Sequence, residues 1–154
     1  MQRSPRPCAA SREATCTGGS IASGTYSSLT IAGFCTVDRG IVKVKHNVTV
    51  QANAGLVAAF GNGPELAVGG NLHVGSNAVL ILGCEPEAFT CINDPDQRVG
   101  TLSSKSTVYG SLDADNALAV IVHNAYFGHN VMVTAAEATL TSIRRPRSSD
   151  RPLM

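Results

Sequence analysis

An eight-residue echo at a spacing of 24 constrains this chain more than any other feature. Asn47-Val48-Thr49-Val50-Gln51-Ala52-Asn53-Ala54 returns as Asn71-Leu72-His73-Val74-Gly75-Ser76-Asn77-Ala78, with five of the eight positions identical or close in chemistry. Weaker copies begin at Ser28, Ser111 and Asn130, so the starts 28, 47, 71, 111 and 130 are spaced by 19, 24, 40 and 19 residues. Each copy opens with Asn or Ser and then alternates apolar and polar residues, as in Leu29 and Ile31, Val48 and Val50, Leu72 and Val74. Alternation of period two puts successive side chains on opposite sides of a short strand, with one row facing inward. No helical segment separates the copies. The composition agrees: 15 Val and 19 Ala stand beside few Lys, Glu and Gln, which favours strands over a helical bundle.

A strand of four residues cannot bury its own inward row. Stacking such strands ~4.8 Å apart satisfies the backbone and builds a continuous aliphatic column. The expected fold is therefore all-β, a right-handed single-stranded parallel β-helix (solenoid) of about five to six coils, spanning residues 16–142. An antiparallel sandwich also has short strands and turn signals and is the rival architecture; the 24-residue echo favours the solenoid. The hand follows the general chirality of parallel crossovers. The spacing of 40 predicts one or two coils carrying an insertion at residues 84–98. Asn47, Asn71 and Asn130 are expected at corners that need left-handed backbone geometry, which Asn and Gly tolerate best. Residues 1–15 and the basic tail 143–154 are Arg-, Pro- and Ser-rich without apolar periodicity and are expected to be disordered.

Charge narrows the function classes. Seven of the 12 basic residues lie in these flanks (Arg3, Arg6, Arg12, Arg144, Arg145, Arg147, Arg151), whereas residues 16–143 hold five bases and nine acids. The body is mildly acidic and has no basic face interleaved with aromatics, so nucleic acid is not an expected partner. No apolar run approaches the ~20 residues of a membrane-spanning helix, so membrane insertion is not expected. The first 15 residues lack the apolar stretch of a secretory signal peptide.

The stretch CTGGSIASGTYSSLTIAGFCTV from Cys16, with HNVTVQANAGLV, GGNLHVGSNAVLILGCEPEAFTCIND and ALAVIVHNAYFGHNVMVTAA, resembles the secreted right-handed parallel β-helix proteins of actinobacteria. The resemblance covers roughly Cys16 to Ala136. Its most specific pieces are the GNL-type strand starts and the two-cysteine loop. It implies secretion or display at the cell surface, although no signal peptide is present in this chain, and it carries no assigned reaction.

Five cysteines come next. Cys16 and Cys35 are 19 residues apart, the shortest coil spacing, and are expected at stacked positions of adjacent rungs. Cys84 and Cys91 bracket the insertion and would close it as a loop, leaving Cys8 free. Zinc is the rival use of cysteine, but no CxxC or CxxH pair occurs. Paired cysteines also point to an oxidising compartment.

Carboxylates form the second candidate set. Asp94, Asp96 and Arg98 lie in or beside the insertion, while Asp113 and Asp115 alternate on the following strand, with Lys105 between. Pectate lyases share the parallel β-helix and use Asp-bound calcium with an Arg base, so these residues make a candidate calcium or sugar site. The plainer expectation is a solvated loop and strand face. His46, His73, His123 and His129 have no ligand spacing and are expected at surface or corner positions. Asn47-Val48-Thr49 matches a glycosylation sequon, and Gly61-Asn62-Gly63-Pro64 reads as a turn. Tyr109, Tyr126 and Phe127 are a candidate sugar-stacking platform, with capping of the coil stack as the alternative. Two functions follow as expectations: a non-catalytic secreted or cell-surface scaffold, binding polysaccharide or self-associating through the open solenoid end, or a pectate-lyase-like lyase or hydrolase using calcium. A chain this short has little room for a catalytic groove, which favours the scaffold.

Overall fold

Val48-Thr49-Val50 and Leu72-His73-Val74 bury their first and third side chains and turn the middle one outward, as their alternation predicts. The computed structural model describes residues 12–59, 62–83 and 105–144. In chain order the strands are β1 (Glu13–Cys16), β2 (Gly19–Ser20), β3 (Gly24–Tyr26), β4 (Ser28–Ile31), β5 (Phe34–Thr36), β6 (Arg39–Val44) and β7 (Val48–Val50). They continue as β8 (Gly55–Ala58), β9 (Asn62–Val68), β10 (Leu72–Val74), β11 (Val79–Leu82), β12 (Lys105–Val108), β13 (Leu112–Phe127) and β14 (Val131–Arg144). No helix occurs among the described residues. Among the described residues every strand pairing is parallel, which excludes the antiparallel sandwich and makes the architecture all-β and solenoid-like.

The strands stack in three ladders. The first runs β1, β4, β7, β10, β13; the second β2, β5, β8, β11, β13; the third β3, β6, β9, β12, β13. The long β13 bends through all three, and β14 follows it along one edge. Leu29, Val48, Leu72, Leu112 and Val131 are register partners in succession, so the five strand starts seen in the sequence lie in one column. Because Leu72 pairs directly with Leu112, the spacing of 40 is a single pass of the chain, interrupted between β11 and β12. Inward rows such as Ile31, Val50 and Val74, or Leu56, Leu80 and Val120, are buried together in one core. Branched side chains suit this stacking because each χ1 is already restricted on the pleat.

Several expectations are corrected. Glu13–Cys16 is a strand paired with Ser28–Ile31, so the fold begins before Cys16, and β14 extends beyond Ser142 to Arg144. Among the described residues the asparagines with left-handed backbone are Asn53 (φ 67°), Asn77 (φ 60°) and Asn116 (φ 57°), not Asn47, Asn71 and Asn130. The second group has a different task. The Asn71 N–H donates to Asn47 Oδ1 (2.8 Å), the Ser111 N–H to Asn71 Oδ1 (2.8 Å) and the Asn130 N–H to Ser111 Oγ (3.1 Å). These side chains satisfy backbone donors of the neighbouring pass where the ladder itself has ended. Beside them Gly110 must lack a side chain, because a Cβ there would collide with Asn71 Oδ1 and the Gly70 carbonyl.

At the left-handed corners, Asn77 Nδ2 donates to Asn53 Oδ1 at 2.8 Å. Asn77→Ala should cost about 2 kcal/mol, since alanine is strained at φ > 0 and the side-chain hydrogen bond to Asn53 is lost. Asn77→Gly should cost less, because it keeps the backbone geometry. Urea unfolding of the two variants checks this; equal losses would show that the backbone conformation is not the cause.

Candidate functional site

The third ladder carries the aromatic residues that the sequence singled out. Along β6, β9, β12 and β13, Val42, Leu66 and Ala125 face inward with Val44, Val68, Val108 and Phe127. Ser106 occupies the same inward row, 2% exposed, with its hydroxyl lacking a hydrogen-bond partner. The residues between point out: Lys43, Ala67, Thr107 and Tyr126 are successive register partners. At the following corner Lys45, Gly69, Tyr109 and Gly128 are equivalent, each donating its N–H to the preceding pass (Tyr26, Val44, Val68 and Val108 carbonyls, 2.7–2.8 Å). Tyr109 and Tyr126 meet edge to face with ring centroids 6.4 Å apart, and Tyr109 is 60% exposed. Phe127 does not join them. It is 0% exposed and belongs to the core, so the platform is two tyrosines rather than three aromatics.

The acidic residues are dispersed. Asp113 lies on the outer side of the first ladder beside its register partner His73, with Oδ2 3.7 Å from Nδ1 and both side chains about half exposed. Asp115 lies past it near the next corner, where its Oδ1 accepts from Thr134 Oγ1 at 3.5 Å. Asp94, Asp96 and Arg98 lie outside the described residues, as do Cys8, Cys84 and Cys91. Among the described residues no three His, Cys, Asp or Glu side chains come together to hold a metal. Lys105 opens β12 with its backbone paired to Glu65. His46 and His129 are exposed, but His123 is 3% exposed, a buried position that its sequence context did not signal. Asn47 of the sequon is engaged through its side-chain oxygen with Asn71, as described above.

Cys16 and Cys35 form a disulfide with Cα atoms 6.4 Å apart. They are not stacked register partners: Cys16 pairs with Ile31 and Cys35 with Gly19. The bridge therefore runs diagonally, from the end of the first ladder in one pass to the second ladder in the next. Beside it a cavity of about 270 Å³ is lined by Ala14, Cys16, Ile21, Tyr26 and Leu29 among others, with no carboxylate, imidazole or amine. The Tyr26 hydroxyl in it donates to the Ala22 carbonyl at 2.6 Å. Such a lining offers no acid–base pair. The disulfide hints at an oxidising compartment, and no helix of the described residues is long and apolar enough to cross a membrane.

Comparison with protein-family models, curated proteins and solved structures returned no match.

Proposed function

We propose that the chain is a right-handed parallel β-helix of six coils that acts as a secreted or cell-surface, non-catalytic scaffold, binding polysaccharide on the outer side of its third ladder. The Tyr109–Tyr126 pair, Tyr109 exposed and Tyr126 half-buried, carries the reading. A sheet held by parallel ladders on both sides is a rigid base, and rings fixed on it offer apolar faces to the C–H faces of sugar rings with little ordering cost. Extracellular placement is supported by the Cys16–Cys35 bridge. Self-association belongs to the same proposal: the edge of β14 away from β13 pairs with no described strand, and such an edge is a template for another chain. The lyase alternative would need Asp113 and Asp115 to share a ligand set, whereas the first faces His73 and the second Thr134.

Affinity electrophoresis through gels containing neutral and acidic polysaccharides tests the reading. The wild-type protein should be retarded by at least one polymer, and Tyr109→Ala should weaken that binding about tenfold, the equivalent of ~1.4 kcal/mol. Since Tyr109 is largely exposed, the variant should melt like the wild type. Absence of retardation in every gel would overturn the binding proposal, and new chain ends in the recovered polymer would overturn its non-catalytic part.

A further inference from the structure

Charge is segregated between the ladders in a way the linear sequence hides. The described segments hold six basic residues: Arg12, Arg39, Lys43, Lys45, Lys105 and Arg144. Arg39, Lys43 and Lys105 sit on strands of the third ladder, Arg144 sits on β14 as the register partner of Tyr126, and Lys45 sits at the corner that closes β6. One carboxylate, Glu65, lies on that ladder's strands, with Asp38 at the corner before it. Glu13, Asp113 and Asp115 are on the first ladder instead. Five of the six basic residues in the described segments thus belong to strands or corners along the ladder that also bears the tyrosine pair.

The local relief sharpens this. Lys43 and Lys45 are exposed, and neither has an ion-pair partner among the described residues. The next rung has Ala67 and Gly69 in the two corresponding places, and the rung after that has Thr107 and Tyr109. Two rungs separate the lysine pair from Tyr109, roughly 9–10 Å, with a methyl group and a bare glycine as the floor. Gly69 must be bare because a Cβ there would run into the Lys45 carbonyl. The lysine pair and Tyr109 therefore stand on one outward side, two rungs apart, with Ala67 and Gly69 between them.

We propose that this surface selects anionic polysaccharide, with a sugar ring stacked on the exposed face of Tyr109, which Tyr126 braces edge-on, and the carboxylate of a uronate unit held by Lys43 and Lys45. The inference rests on the sugar-binding reading above and adds the ligand's charge to it. An ammonium group binds a carboxylate as a point charge without a fixed fork, which suits a flexible polymer with carboxylates at regular intervals. Both lysines are exposed, so the attraction is screened by salt. Neither Asp113 nor Asp115 takes part in it, and no metal is needed.

The test compares polygalacturonate with its fully methyl-esterified form, the same backbone with its charge removed, by calorimetric titration at low and moderate salt in the presence of chelator. The wild type should bind the acid form at least tenfold more tightly, and the difference should shrink as salt is added. The double variant Lys43→Ala, Lys45→Ala should lose about tenfold toward the acid form and keep its affinity for the ester, while Tyr109→Ala should weaken both. Equal affinity of the wild type for both polymers, or an acid preference that survives loss of both lysines, would overturn the inference and leave sugar binding standing. Binding to neither polymer would overturn the inference here; together with no retardation in any gel it would overturn the parent reading as well.

Discussion

Replacing Phe127 with alanine should destabilise the protein by about 3–5 kcal/mol, whereas Tyr109→Ala, on the same ladder, should change stability by less than about 0.5 kcal/mol. Phe127 is among the largest fully buried side chains and closes the inward column that runs through Tyr26, Val44, Val68 and Val108. Its neighbours there are valines held between hydrogen-bonded rungs, so they cannot collapse into the space an alanine would leave. Truncation therefore costs both the transfer of the ring and the cavity. For a chain of this size such a loss lowers the melting temperature by roughly 10 °C. Thermal and urea unfolding of the two variants side by side checks the inward assignment of Phe127. A Phe127→Ala loss below about 1 kcal/mol would mean that the ring is not in the core.

Removal of the Cys16–Cys35 disulfide comes second in size. The bridge closes a loop of 19 residues, for which the chain-entropy model gives about 3 kcal/mol. Its position concentrates the effect. The bridge joins β1 to β5, and solenoid stability is passed between neighbouring rungs, so the first two passes should fray before the core around Leu72 and Leu80. Reduction, or the double variant Cys16→Ala, Cys35→Ala, should lower the melting temperature and speed hydrogen exchange in residues 13–36 ahead of the rest. Cys35 is fully buried, so alanine is the better replacement: a serine there would add an unpaired hydroxyl. Non-reducing peptide mapping should recover Cys16 joined to Cys35, and a link from Cys8 to either would overturn the pairing. An unchanged melting curve in reductant, with thiol titration confirming reduction, would show that the bridge contributes little.

The sequence by itself determined which residues form the column of the first ladder. Within a strand, side chains alternate by covalent geometry, so Leu29, Val48, Leu72, Leu112 and Val131 announced both their strands and their inward direction. The same rule also excluded one expectation in advance: Tyr126 and Phe127 are adjacent on a strand and cannot share a side, so a three-aromatic platform was ruled out by the pleat. β1 escaped notice because Glu-Ala-Thr-Cys has the alternation but only small inward residues. Tertiary structure alone decided what happens between strands. Whether Asn53 or Asn47 takes the left-handed backbone depends on how many residues turn each corner, which no period in the strands encodes. The diagonal course of the disulfide, and the placing of Lys45 two rungs from Tyr109 although 64 residues separate them in sequence, depend on register between passes of unequal length. Alternation sets which side of its own strand a residue occupies; only the stacking of the strands sets which other residues share that side.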